Sequence, residues 1–211
     1  MKRFLPWLSL LLSAGVLVLR YPAFPARWAI HWNAFGEIDG WADKTWTSAA
    51  LPLFLALGLT LLFEVLALLG SQLRHSKLPA PWGERMAAAN RGYIYYISTL
   101  LNVFLGYLAC TLPFGPPPVA CIFLLVTGTV LYPALDFSRL AREMRAEGAL
   151  PKGYGGGFYN NADDARLWVP KLSGYGWTLN LAHGRARILL AALILVPVAV
   201  SLLVLRSVSH H

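Results

Sequence analysis

The sequence predicts an all-α polytopic membrane protein of about five transmembrane helices, with a small extracytoplasmic cap and a small cytoplasmic β-hairpin module. Three observations predict it. Of 211 residues, 57% are hydrophobic and only 13% are charged, whereas a soluble globular chain carries roughly 25% charged residues. The mean hydropathy is +0.53, and apolar runs of bilayer-spanning length, about 17 to 25 residues, recur along the chain. Finally, fourteen of the eighteen Lys and Arg fall on one side of these runs, the exceptions being Arg20, Arg27, Lys44 and Arg206.

The first run, 4–19, follows Lys2-Arg3 and is short enough to raise the question of a secretory signal. Its candidate cleavage site, Ala23-Phe24-Pro25-Ala26, contains a proline that disfavours cutting, so the run is expected to stay as a span. Further runs cover 48–70, 93–113, 118–135 and 188–205. The charge asymmetry then places the N-terminus inside and the C-terminus outside. The domains expected are 1–70, two helices with an outer cap loop at 20–47; 71–135, a basic inner linker and a transmembrane hairpin; 136–187, a helix extension, a Gly-rich linker and a β-hairpin module; and 188–211, a last transmembrane helix.

The net charge of +8 does not call for nucleic acid, because the basic groups track topology and face an anionic inner leaflet. The partner predicted by composition is the lipid bilayer. Cys110 and Cys121 lie symmetrically about the Phe114–Pro117 turn. They are expected to pack as free apolar side chains, although antiparallel neighbours at equal depth also allow a disulfide.

The cap loop opens with Tyr21-Pro22 and Phe24-Pro25, which keep the chain out of helix. Residues 30–33 suit a short strand, 34–36 a turn, and Asp39-Gly40 a second turn. Trp28, Trp32, Trp41 and Trp46 suit the headgroup level. Within this loop His31, Asn33, Gly36, Glu37, Asp39 and Gly40 form the candidate ligand-binding segment. Imidazole with carboxylates also invites a metal-assisted membrane enzyme using His31, Glu37 and Asp39. No pair has a recognised ligand spacing, however, so neither a metal nor any other cofactor is expected.

The linker 71–92 carries Pro79 and Pro81 and is expected to be irregular, with an interfacial turn near Trp82. Glu64 lies within the second run, where an ionised carboxylate is costly, and such residues are functional candidates. Tyr96 and Ser98 are expected near its depth and Asn102 somewhat deeper, giving Glu64 and Asn102 as the intramembrane polar pair. Either they clamp helices together, or they serve a small transporter or an accessory subunit of a larger membrane complex.

Residues 137–148 continue the fourth helix to Gly148, with Pro151 beyond as a stop. The glycine run 153–157 lacks the Lys-Ser/Thr pair of a phosphate loop and is read as a linker. Two β-prone runs, 167–171 and 177–181, flank Gly174-Tyr175-Gly176 and suggest a hairpin, with Pro170 on an edge strand. Asp163, Asp164, Arg166, Lys171, Trp177 and Asn180 are the candidate residues of this module for a cytoplasmic protein partner. No catalytic triad emerges, so the motifs favour binding over catalysis. His210 and His211 close the chain as native residues or a tag remnant.

His31-Trp32-Asn33, Gly36, Asp39, Gly40 and Lys44, followed by a leucine-rich run, resemble the H-W-N-x-x-G-x-x-D-G domain of the bacterial SdpI-type immunity and signalling membrane proteins. The resemblance covers roughly residues 1–70. Residues 159–180 resemble a second uncharacterised cytoplasmic module with a Y-N-P-D-D-P-R pattern, Ala162 and Ala165 standing near the places of its prolines. The resemblance implies an envelope sensor or immunity factor. Such a protein would meet a peptide, toxin or lipid outside and a cytoplasmic partner inside, and the family supplies no catalytic residue.

Overall fold

The computed structural model describes residues 2–33, 35–72, 78–155, 158–174 and 176–208. Ala34, Gly156, Gly157, Tyr175, His210 and His211, within segments discussed above, lie outside the described residues, as do Arg74 and Lys77 of the fourteen inner basic residues. The elements in order are α1 (Leu5–Arg20), β1 (Arg27–Trp32), β2 (Ile38–Asp43), α2 (Trp46–Gln72), α3 (Ala80–Thr111), α4 (Val119–Ala146), β3 (Tyr154–Gly155), β4 (Phe158–Tyr159), β5 (Trp168–Pro170), β6 (Trp177–Leu179) and α5 (Gly184–Val208). Among the described residues four helical segments are long and apolar enough to cross a membrane: Lys2–Ala23, Trp46–Gly70, Ala80–Phe114 and Ala120–Ala146. The chain is a multi-pass membrane protein. The fifth apolar run lies within α5, a helix of 25 residues.

The chain forms two compact units: Met1–Leu73 with Ala87–Pro133, and Arg74–Met86 with Ala134–His211.

In the first unit, α1 approaches α3 where both carry small residues. A Cβ on Gly106 would lie 2.0 Å from Ser13 Oγ, so the two backbones come closer than a larger residue would permit. Pro133 in α4 cannot donate the N–H that the Thr129 carbonyl would otherwise receive. Tyr93 of α3 donates its hydroxyl to that carbonyl at 3.2 Å, and Tyr96 donates to Gly128 O at 3.1 Å. The proline therefore frees one acceptor, Thr129 O, that binds α4 to α3. Cys110 is buried, Cys121 is half-buried, and both are free thiols.

The α1–α2 connection is more regular than a proline-rich loop suggests. Tyr21–Ala23 forms a 3-10 turn, and β1 and β2 form an antiparallel hairpin. Asp39 and Gly40 lie inside β2 rather than at a second turn, because the reversal is completed upstream, between Asn33 and Glu37. The hairpin is anchored by a core of Leu17, Phe24, Trp28, Ala49, Leu53, Ala109 and Cys110. Phe24 meets Trp28 and Phe114 edge-on at 5.7 and 5.6 Å, and Tyr21 stacks on Trp46 at 3.7 Å. Of the tryptophans expected at headgroup level, Trp28 is in this core, while Trp41 and Trp46 are exposed.

In the second unit, α3 begins at Ala80, thirteen residues before the apolar run. The segment read as a basic linker with a turn near Trp82 starts a helix at its prolines instead. Pro79 offers its carbonyl to Trp82 and Gly83, and Pro81 sits in the first turn, where its missing N–H costs nothing. Trp82, Met86, Leu140, Ala141 and Met144 are buried. Arg85 lies 4.2 Å over the Trp82 ring and pairs with Glu143, which also accepts from Arg139 at 2.9 Å. Helix α4 runs to Ala146 and closes with Ala149 N–H on Met144 O at 2.9 Å, the type of stop expected near Gly148.

Within the segment read as a Gly-rich linker, Tyr154–Gly155 pairs as β3 with Phe158–Tyr159 as β4. The β5–β6 hairpin is present where two β-prone runs flank the Gly174–Gly176 turn, Trp168 opposing Leu179 and Pro170 opposing Trp177. A parallel bridge from Tyr159 to Asn180 joins the two hairpins.

Candidate functional site

The candidate segment forms the distal half of the β1–β2 hairpin, and each of its residues has a local role. Asn33 organises the reversal. Its side-chain oxygen accepts from Phe35 N–H at 2.9 Å and Glu37 N–H at 3.0 Å, and its amide donates to the Glu37 carboxylate at 2.9 Å. Asn33 and Glu37 also pair through the backbone at 2.9 Å. Gly36 has φ +82°, a conformation that L side chains rarely adopt. His31 Nδ1 pairs with the Asp39 carboxylate across the strands. A Cβ on Gly40 would lie 2.8 Å from His31 Cβ, so glycine lets the strands close over the pair, within a register that shifts on both sides of His31.

The motif therefore makes a shape. Its polar groups hydrogen-bond to one another while His31, Glu37 and Asp39 stay exposed, and beside them the hairpin exposes Ile30, Phe35, Ile38 and Trp41, of which Phe35 is 77% exposed. Arg27 lies 5.3 Å over the Trp41 ring and 3.7 Å from Asp43. Among the described residues no group of three or more His, Cys, Asp or Glu is placed to hold a metal ion. His31 and Asp39 stand together, while Glu37 is engaged by Asn33.

Lys44 escaped the sequence reading except as a motif letter. Its ammonium donates to Pro22 O at 3.0 Å and Phe24 O at 2.9 Å and lies 5.3 Å over the Tyr21 ring. It satisfies the carbonyls of the turn that links α1 to the hairpin.

The intramembrane pair forms two polar rungs. Asn102 is wholly buried and donates to Pro6 O at 2.9 Å and Thr60 Oγ1 at 2.8 Å, while Thr60 donates to Ala56 O at 2.8 Å. One turn along α2, Glu64 accepts from Trp7 Nε1 at 3.2 Å, Arg3 Nε at 3.2 Å and Tyr95 OH at 3.4 Å. The contact is made by Tyr95, next to Tyr96, which was expected near this depth. Seven residues from Asn102, it shares that residue's face of the helix, whereas Tyr96 turns to α4. Both rungs join α1, α2 and α3. Their groups are engaged in clamping helices, a role that the hydrocarbon interior favours. Arg3 and Trp7 were missed because a basic residue at a span's end reads as topology and a tryptophan as an interfacial anchor.

In the second unit, Asn180 is wholly buried and is the hub of the module. Its Oδ1 accepts from Asn161 N–H at 3.0 Å and Ala182 N–H at 3.3 Å, and its Nδ2 donates to Asn161 O at 2.9 Å and Asp164 O at 2.8 Å. Asp164 accepts two bonds from the Arg166 guanidinium at 2.9 and 2.6 Å and one from Tyr159 OH at 2.9 Å. Asp163 pairs with Lys152 at 2.6 Å. Lys171 and Trp177 flank the β5–β6 turn and are exposed. Tyr159, buried and donating to Asp164, is the organising residue that the charge-based reading overlooked.

The Arg166 hydrogen bonds hold the Asp164 carboxyl well below the usual carboxylate range, and the Lys152 ammonium lowers that of Asp163. Because these pKa values are depressed in the folded state, their stabilisation is complete above the unfolded value near about 4. It is lost as pH falls through the lower folded values. Hydrogen exchange across residues 159–167 should therefore show wild-type protection above that of Asp164→Asn at neutral pH, with the difference vanishing in acid. A difference that persists undiminished to the lowest pH would contradict the assignment.

Two family models match the chain. A domain of unknown function, DUF1648, matches residues 8–56, and a family of unknown function, DUF5808, matches residues 162–187. Both are associated with membrane proteins. The first match spans most of α1, the hairpin and the start of α2; the second spans the Asp163–Arg166 loop, β5–β6 and the start of α5. No curated protein and no solved structure matches the chain.

Proposed function

We propose that this is a binding protein of the bacterial cytoplasmic membrane, with five spans, N-terminus inside and C-terminus outside. It acts as an envelope sensor or immunity factor whose β1–β2 hairpin meets a peptide or toxin at the outer face. Its cytoplasmic module meets a protein partner inside the cell. The observation that carries this reading is the division of labour in the hairpin. Its polar motif residues are engaged with one another, while Ile30, Phe35, Ile38 and Trp41 are exposed on a frame anchored to the helix ends. A rigid loop with apolar anchors is a recognition element. The carboxylates Glu37, Asp39 and Asp43 beside these anchors suit a cationic amphipathic ligand. The likeness to the SdpI-type immunity proteins points the same way.

The test replaces Phe35 and Ile38 with Ser, which leaves the Asn33 and His31 pairings intact. In cells challenged with cationic envelope-active peptides, protection should fall by about tenfold or more, as for loss of an interface anchor of 1.4 kcal/mol or more. Unchanged protection at normal membrane abundance would refute the reading.

A further inference from the structure

We propose that the exposed face of the β5–β6 hairpin docks on an anionic lipid surface. Strand alternation places Trp168, Pro170, Trp177 and Leu179 on one face and turns Val169, 1% exposed, to the other. Trp168 and Trp177 are 52% and 61% exposed, so this second unit displays two large indoles on a short hairpin.

Charge completes the surface. The acidic residues of the module are already matched, Asp163 by Lys152 and Asp164 by Arg166. Lys171, Arg185 and Arg187 are exposed and, among the described residues, have no ion pair. Lys171 is at the hairpin turn, its N–H bonded to Gly176 O at 3.0 Å. Arg185 and Leu167, the neighbour of Trp168, line one cleft with Ala165, His183 and Gly184. Lys171 thus stands at the turn end of the indole-bearing hairpin, and Arg185 lines a cleft with Leu167 at its open end.

Tryptophan with uncompensated Lys and Arg is the composition of an element seated at the headgroups. The indole suits the interface, and the cations meet anionic lipid. Along the chain, the module begins at Tyr154, soon after α4, one of the long apolar helices, ends at Ala146. None of these observations involves the β1–β2 hairpin, so the inference stands apart from what that hairpin binds.

The test uses the full chain, one copy per nanodisc, with tryptophan quenching by brominated lipid. Subtracting the emission of the Trp168→Phe/Trp177→Phe variant isolates the two indoles from the other six of the eight tryptophans. Discs of brominated phosphatidylcholine mixed with phosphatidylglycerol should quench this difference signal by about half or more. Discs of brominated phosphatidylcholine alone should quench it less, and high salt should reverse the gain. Lys171→Gln/Arg185→Gln should abolish the dependence on anionic lipid. Lys171→Gln alone, at an exposed turn, should reduce it and keeps the test open should the double variant fail to fold. Indoles unquenched in anionic discs would place this face in water or against a protein, and equal quenching in both lipids would remove the electrostatic contribution; either result overturns the proposal.

Discussion

Trp28→Ala should unseat the β1–β2 hairpin from the helix ends. Trp28 is 4% exposed in the cluster of Leu17, Phe24, Ala49, Leu53, Ala109 and Cys110, and truncating a buried Trp to Ala costs about 3–5 kcal/mol through lost contacts and the cavity left behind. The cluster contains its own reporter. Cys110 is 6% exposed within it, whereas Cys121 is outside it. Maleimide labelling of Cys110 in purified protein should rise by about a hundredfold if opening limits access, since about 2.8 kcal/mol corresponds to that factor. Labelling of Cys121 should stay unchanged. An unaltered Cys110 rate would mean that Trp28 does not hold the hairpin in place. Activity offers a second readout. If the hairpin is the recognition element, this variant should lose protection together with order, whereas Phe35→Ser/Ile38→Ser should lose protection alone.

Asn180→Ala should open the module of the second unit. The variant removes two acceptor and two donor bonds at a fully buried position. Each buried group left unpaired costs about 1–3 kcal/mol. Asp164 O retains a partner in His183 Nε2 at 2.8 Å, which leaves fewer orphans than bonds broken. A total of about 3–5 kcal/mol follows from those that remain. Trypsin cleavage after Arg166 and Lys171 should accelerate by about a hundredfold or more when it proceeds through the opened state, with Cys110 labelling unchanged. Asn180→Asp separates the halves of the network, because it keeps the acceptor for Asn161 N–H and places an oxygen against the carbonyls of Asn161 and Asp164. It should behave nearly as badly as alanine. Wild-type cleavage rates in both variants would show that Asn180 is not the hub.

Much of this architecture was legible without coordinates, and particular residues show why. The apolar runs became helices because their composition alone favours burial in lipid, and the Phe114–Pro117 turn separates α3 from α4 where proline and glycine place it. The β5–β6 hairpin was legible from two β-prone runs around a glycine-bearing turn. Pro79 and Pro81 misled, because a proline breaks a helix inside it and starts one at its first turn, and the sequence does not say which position applies. Asp39-Gly40 misled for a related reason. The pair is a turn signal, but Asn33 had already closed the chain, and the glycine answers to the approach of His31.

The candidate site divides in the same way. That His31, Asn33, Gly36, Glu37, Asp39 and Gly40 belong together was legible from their density in a short polar interval. That Asn33 holds Glu37, that His31 holds Asp39, and that exposed apolar side chains remain as the surface was not. That this is a membrane protein, where its long helices run, and which segments carry polar chemistry all follow from composition and local turn propensity, which depend on neighbours in the chain. Packing in three dimensions was needed for Lys44 to tie down the turn after α1, for Arg3, Trp7 and Tyr95 to converge on Glu64, and for Asn180 to organise the second unit. Each of those contacts joins residues far apart in sequence, and a hydrogen bond a few ångströms long is set by how helices and strands rotate about their axes rather than by the identity of adjacent residues.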